Sequence, residues 1–275
     1  MIGNEWTMMV FCALTCLAAG LSAVLAAGEW RSFPFAPLVA SAEGAACALA
    51  LGFAAVLFGL GRPSLFFGML GNSGSAFFPT AVLTALTFGA LVLYIAAQKR
   101  GAEAAATRGF AAAAGIFSIL LVLAAGKTLV MPWREALNSL AIPAAFLAWA
   151  LSCCIYAAKA LRDAAGRPMP LAEASVWAAL LPSLGLAAYA AHLLTSDALR
   201  AEGTAYLPFT GELAPAFWLG AAVLGIAVPF FLAARSRGSL RRDLLALLFT
   251  VIGAAAFHDV VYQVGMPSWH FFTAS

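Results

Sequence analysis

The chain has 275 residues, of which 64% are hydrophobic and 10% are charged, and its formal net charge is +3. A soluble globular domain carries about 25% charged residues. In water, such a composition would expose large hydrophobic patches, which soluble monomers avoid. The composition therefore excludes a soluble globular protein and indicates a membrane protein.

Eight apolar segments follow one another along the chain, and each is close to the roughly 20 residues that cross a bilayer core. Their predicted bounds are Thr7–Ala27, Leu38–Leu60, Ala76–Ala97, Phe110–Gly126, Ala141–Ala158, Leu171–Leu194, Ala214–Ala234 and Leu244–Val264. Lipid permits only helices or closed barrels, and these segments lack the alternating pattern of barrel strands. We therefore predict an all-α fold: one domain over residues 1–275, a single bundle of eight transmembrane helices.

Lysine and arginine are distributed unevenly over the predicted loops. Eleven of the 15 follow the first, third, fifth and seventh segments: Arg31, Lys99, Arg100, Arg108, Lys159, Arg162, Arg167, Arg235, Arg237, Arg241 and Arg242. Short loops rich in these residues stay in the cytoplasm. The pattern predicts that both termini are extracytoplasmic.

The cysteines do not form a metal-binding pattern. All five lie inside predicted membrane segments: Cys12, Cys16, Cys47, Cys153 and Cys154. An iron–sulfur cluster needs about four thiolates close together. We interpret the cysteines as small buried hydrophobic residues and expect no metal in this chain.

Ionisable residues at membrane depth are candidates for a functional site. The last segment contains His258, Asp259 and Tyr262, and the spacing of His258 and Tyr262 places them on one helix face. His192 ends the sixth segment on the same predicted side of the membrane. Histidine titrates near neutral pH and can accept a proton from a quinol hydroxyl. Two interpretations stay open: a site that handles protons from a small amphipathic ligand, or polar residues that cap helix ends.

Two further polar residues lie on that side. Glu5 comes directly before the first segment, next to Trp6, and Arg62 follows the second segment in a loop rich in Gly and Ser. Tryptophan is typical of the membrane interface. Arg62 can neutralise a quinol oxygen, pair with a carboxylate of a partner, or bind lipid phosphate.

Several short motifs carry a resemblance to a known family. They are Glu5-Trp6, Leu60-Gly61-Arg62-Pro63 with Asn72 following, the length of loop Thr195–Leu213, and Tyr262 with Met266. In these motifs and in its layout the chain resembles the membrane anchor (C) subunit of the dimethyl sulfoxide reductase family, an eight-helix protein with both ends outside. Three positions differ from the family pattern: Gly59 replaces a His, Thr80 an acidic residue and His258 an Arg.

The resemblance implies a function in anaerobic respiration. An anchor of this family binds menaquinol and passes its electrons to a four-cluster iron–sulfur subunit, which supplies a molybdopterin catalytic subunit. It implies that the chain lies in the bacterial cytoplasmic membrane, with its partners on the extracytoplasmic side. It also implies that the chain binds no haem and has no catalytic centre of its own.

We predict the quinol site near the outer ends of helices one, two and eight. Arg62 would stabilise charge on the quinol, and His258 with Asp259 would accept its protons, because quinol oxidation releases two protons with two electrons. Gly59 would leave room for the quinol headgroup near helix two. The predicted quinol-binding residues are Arg62, His258, Asp259, Tyr262, Glu5 and His192.

Three alternatives remain at this stage. One is a related quinone-coupled anchor of the polysulfide- or nitrite-reductase type. Another is a haem b protein, which needs axial ligands that His192 and His258 can supply. The third is a secondary transporter, which predicts broken helices with a polar site at mid-depth. Pro143, Pro182 and Pro229 can break helices, but no charged residue accompanies them and the sequence shows no internal repeat.

Overall fold

Long helices account for nearly all of the described chain. The computed structural model describes residues 5–31, 35–59, 68, 71–166, 172–235 and 239–265. In these residues we find eight long helices and no strand: α1 (Glu5–Trp30), α2 (Phe35–Gly59), α3 (Phe78–Lys99), α4 (Ala104–Thr128), α5 (Ala141–Ala164), α6 (Ala172–Thr195), α7 (Ala216–Ala234) and α8 (Leu240–Gly265). All eight are long and apolar enough to cross a membrane, which confirms the predicted all-α, multi-pass architecture.

Several helices extend beyond the apolar segments that predicted them. The structure starts α4 at Ala104 instead of Phe110, and it ends α5 at Ala164 instead of Ala158. Helical hydrogen bonding continues into the headgroup layers, which add about 10–15 Å to the thickness of the hydrocarbon core and accept polar side chains. As a result Arg108 and Lys159 are helical residues rather than loop residues.

Helix α1 lies at the centre of the bundle, where it packs against α2, α4, α5 and α8. Its side chains at Cys16, Ala18 and Leu25 are fully buried. Gly20 allows the closest approach to α5, because a Cβ atom at this position would lie 2.7 Å from the backbone nitrogen of Cys154. Small residues therefore let α1 occupy the middle of the bundle, as in other membrane helix pairs.

Polar contacts between helix ends mark one face of the bundle. Glu29, near the end of α1, accepts hydrogen bonds of 2.6 Å from both Tyr94 and Gln98 at the end of α3. Lys99 forms a 3.2 Å ion pair with Glu43 near the start of α2. We call this side, which carries most of the lysine and arginine residues, the basic face. The opposite side, where α1 starts, is the N-terminal face.

Helix α7 differs from an ordinary helix in its first part. Residues Ala216–Ala227 form a π-helix, in which backbone hydrogen bonds join residues i and i+5, and an α-helix continues from Val228 to Ala234. The π-helix ends just before Pro229, which has no backbone N–H to donate. At Gly225 this helix meets the backbone of Gly253 on α8, and a Cβ atom added to Gly225 would lie 2.7 Å from the Trp149 ring. The crossing of α7 and α8 thus depends on two glycines.

Candidate functional site

The largest of the cavities that we describe lies between α2 and α3. It has a volume of about 550 Å³, which falls within the range of small-molecule sites, and its wall is almost entirely apolar. The residues that line it are Leu49, Ala50, Phe53, Ala81, Val82, Thr84, Ala85, Leu86 and Phe88. Ala50, Ala81 and Ala85 have small side chains, which leaves space between the larger Leu and Phe side chains of the wall. It suits an apolar or amphipathic ligand that enters from the lipid.

Threonines on α3 supply the polar groups next to this cavity. Thr84, which lines the cavity, donates a 2.8 Å hydrogen bond to the backbone oxygen of Thr80 one turn earlier. The Thr87 hydroxyl donates in the same way to Leu83, at 2.7 Å. In the described part of the chain, the buried hydroxyl of Thr80 has no hydrogen-bond partner. Thr80 therefore has a buried hydroxyl, unpaired within the described chain, one helical turn from the cavity wall on the side nearer the N-terminal face.

The prediction that Gly59 leaves room for a ligand is wrong. A Cβ atom added to Gly59 would overlap the Thr7 hydroxyl and would lie 2.9 Å from the Thr7 Cβ atom. Thr7 is buried on α1, so its side chain already fills the space that a side chain at position 59 would take. Gly59 thus serves the close packing of α1 against α2.

Part of the predicted site lies outside the described residues. Arg62 belongs to residues 60–67, and Met266 follows the end of α8; neither is described. Glu5 starts α1, but its side chain is also outside the described part. Tyr262 is partly buried and packs against the core on the N-terminal side of the bundle. The roles predicted for these residues stay predictions.

His258 lies in the interior of the bundle. Its ring centroid is 3.9 Å from that of Phe146 on α5 and 6.0 Å from that of Phe257, and only 1% of the residue is exposed. Neither ring nitrogen has a hydrogen-bond partner among the described residues. Since buried polar groups are nearly always hydrogen-bonded, this imidazole is an unusual group in an aromatic environment.

Asp259 and His192 make contacts that differ from those of His258. Successive residues of a helix point about 100° apart, so Asp259 does not share the buried environment of His258. Asp259 accepts a 2.6 Å hydrogen bond from the Gln263 side chain at an exposed position. His192 Nε2 lies 3.0 Å from the backbone oxygen of Glu135 and so holds the loop between α4 and α5. Tyr189 connects the regions of the two histidines, with ring centroids 6.4 Å from His192 and 5.9 Å from Phe257.

The cavity between α2 and α3 and the region around His258 are separate in the fold. The cavity is formed by α2 and α3, whereas His258 on α8 contacts α5. Residues Trp149 and Tyr189, whose side-chain polar atoms are also buried without a partner among the described residues, lie near the second region. The sequence indicated the region around His258, because an ionisable residue is rare in an apolar segment. It did not predict the cavity between α2 and α3, because apolar residues that face lipid and apolar residues that face a cavity have the same sequence pattern.

A buried ion pair was also missed by sequence reasoning. Lys159 on α5 contacts Asp243 on α8 at 2.5 Å, and their side chains are 6% and 0% exposed. Oxygen Oδ2 of the neighbouring Asp163 is buried as well. Lys159 and Asp243 lie just outside the predicted membrane segments, so they were assigned to loops. They come together because α5 and α8 extend beyond the predicted bounds. The pair joins α5 to α8 at the basic face.

No family model matches the chain, and no curated protein matches it. In the described residues, no three His, Cys, Asp or Glu side chains come together in a group that could hold a metal ion.

Proposed function

We propose that the chain is the membrane anchor subunit of a molybdopterin-dependent reductase of the dimethyl sulfoxide reductase type, and that it binds menaquinol. The observation that carries this proposal is the apolar cavity of about 550 Å³ between α2 and α3. Menaquinol has a polar ring head and a long apolar tail. A mostly hydrophobic pocket with few polar groups is the kind of site that holds such a ligand.

The position of the cavity agrees with the motif that carries the family resemblance. Leu49 and Phe53 on α2 precede Gly59 by ten and six residues, which corresponds to about 15 and 9 Å along the helix axis. The motif Leu60-Gly61-Arg62-Pro63 follows directly. In this proposal the ring head binds at the end of the cavity nearer Thr80 and the end of α2, and the tail extends between α2 and α3 into the lipid.

Oxidation of menaquinol releases two electrons and two protons. The electrons pass to an iron–sulfur subunit and from it to the molybdopterin subunit, both on the extracytoplasmic side. The protons need an acceptor within hydrogen-bond reach, directly or through water. Thr80 can bind the quinol hydroxyl but is not a base. His258, whose two ring nitrogens have no hydrogen-bond partner among the described residues, remains our proposed acceptor. Since it lies in a separate region of the fold, water molecules would have to carry the proton from the cavity to it.

The loops at the N-terminal face form the proposed docking surface for the iron–sulfur subunit. Residues Glu135–Leu137 and Asp197–Ala201 form short helices there, held together by hydrogen bonds from His192 and Ser196 to Glu135. Trp133 and Leu140 are 78% and 82% exposed in the same region. Tryptophan is a typical anchor residue of protein interfaces, and Trp133 is therefore the proposed centre of this surface.

The proposal is tested with the complex purified from its native membrane. We expect an iron–sulfur protein and a large molybdoprotein to copurify with this chain, and menaquinol to reduce the iron–sulfur clusters. Ala85→Trp, which fills the cavity, should prevent that reduction while a reduced dye still supplies electrons to the partner subunits. Leu93→Trp on the lipid-exposed side of α3 is the matched control. Isolation of the chain without redox partners would contradict the proposal.

A further inference from the structure

A second cavity lies at the basic face, between α1, α2 and α5. Its volume is about 220 Å³, and two arginines line it together with apolar side chains. Arg31 directly follows the last residue of α1, and Arg162 lies in the last turn of α5. Leu38, Ala158 and Leu161 belong to its apolar wall. The cavity thus combines two positive charges with a hydrophobic groove between membrane helices.

The nearby carboxylates bind elsewhere. Glu29, two residues before Arg31, accepts hydrogen bonds from Tyr94 and Gln98 on α3. Asp163, next to Arg162, lies close to Asp243 and Lys159 of the buried ion pair. None of the ion pairs that we find among the described side chains involves Arg31 or Arg162. In the described part of the chain no carboxylate pairs with either guanidinium group, so both can contact an anionic ligand that enters the cavity.

We propose that this cavity binds an anionic phospholipid of the bilayer, with its phosphate between Arg31 and Arg162 and part of an acyl chain along Leu38, Ala158 and Leu161. Guanidinium groups bind phosphate oxygens through paired, charge-assisted hydrogen bonds. Basic pockets between membrane helices on the cytoplasmic side are known to take lipid headgroups of this charge. The lipid would join α1, α2 and α5 at the face where their connecting loops are short. The site is separate from the proposed quinol cavity and does not depend on the proposed function.

Native mass spectrometry of the purified protein tests this site through lipid binding itself. We expect phosphatidylglycerol to bind more tightly than phosphatidylethanolamine with the same acyl chains, and inorganic phosphate at millimolar concentration not to displace it. Each single change, Arg31→Gln or Arg162→Gln, should weaken phosphatidylglycerol binding about fivefold. The double variant should remove the preference. Arg235→Gln, at an exposed arginine of the same face that does not line the cavity, is the matched control.

The apolar part of the site is tested independently of the charges. Ala27 is exposed at the edge of the cavity, so Ala27→Phe should block the acyl chain and weaken phosphatidylglycerol binding without disturbing the core. Equal binding of the two lipids to the wild-type protein would overturn the proposal, even if no variant could be purified. Unchanged phosphatidylglycerol binding in the double arginine variant would also overturn it. Displacement by inorganic phosphate would show an anion site without lipid and would contradict the proposal as well.

Discussion

The imidazole of His258 on α8 lies against the phenyl ring of Phe146 on α5, with ring centroids 3.9 Å apart. Both residues are fully buried or nearly so, and this contact joins two helices that also share the Lys159–Asp243 ion pair at the opposite face. An aromatic residue would satisfy the packing at position 258, whereas only an ionisable one can accept a proton. Packing and chemistry can therefore be separated at this position.

Two substitutions of His258 distinguish its packing against Phe146 from its proposed role as a proton acceptor. His258→Phe keeps a ring against Phe146, and His258→Ala removes it. If His258 accepts the quinol proton, both variants should lower the rate of quinol oxidation by about 100-fold or more, since general-base catalysis contributes at least that much. Electron supply from an artificial donor to the iron–sulfur partner should be unchanged. A full rate in His258→Phe with a loss only in His258→Ala would show that the ring is needed for packing alone.

The Thr80 hydroxyl should contribute to quinol binding. Thr80→Val removes the hydroxyl with little change in volume, and the loss of one hydrogen bond predicts a dissociation constant about two- to tenfold higher for a menaquinol analogue. Thr87→Val on the same helix is the control, because the Thr87 hydroxyl is bonded to Leu83, whereas the Thr80 hydroxyl has no partner among the described residues. Equal affinities of the two variants would remove Thr80 from the site.

Removal of one partner from the buried ion pair should destabilise the fold much more than removal of one partner from an exposed pair. Lys159→Met leaves the Asp243 carboxylate buried without its partner, so we expect the free energy of unfolding in detergent to fall by about 3–5 kcal/mol. Lys99→Met breaks the Lys99–Glu43 pair, whose side chains are 64% and 52% exposed, and should cost less than about 1 kcal/mol. The double variant Lys159→Met/Asp243→Leu should recover most of the loss. Similar losses in the two single variants would contradict this account.

Glycine at position 253 should be required by the crossing of α7 and α8. A Cβ atom there would overlap the Gly225 backbone and would lie 3.0 Å from the Trp149 ring. Gly253→Ala should therefore lower the free energy of unfolding by about 1–3 kcal/mol, as overpacked cores do. Gly89→Ala on α3 is the control, since no atom lies within 4 Å of its added Cβ, and it should be neutral or slightly stabilising. A loss at position 89 as large as at position 253 would refute the steric explanation.

The sequence predicted the helices well and the site only in part. Long apolar segments identify membrane helices because the bilayer fixes their length and forces internal hydrogen bonding. Their ends were misplaced by up to six residues, since the helices continue through polar residues such as Arg108. Lys159 and Asp243 were for that reason not recognised as a pair. The π-helical part of α7 also gave no signal in the sequence.

Contacts between helices explain the remaining differences. Gly59 was taken as open space because the sequence does not show that Thr7 of α1 fills it. His258 was recognised because an ionisable residue stands out in an apolar segment, but its Phe146 neighbour is 112 residues earlier in the sequence. The periodicity of a sequence shows which residues share one face of a helix. It does not show which residues of other helices contact that face.

Photoaffinity labelling of the purified complex with an azido-menaquinone tests the quinol site most directly. Mass spectrometry should find the label on peptides of α2 and α3 that contain Leu49–Phe53 or Ala81–Phe88, and excess menaquinol should prevent the labelling. Labelling of α5 and α8 around Phe146 and His258, with none on α2 or α3, would contradict the site that we propose.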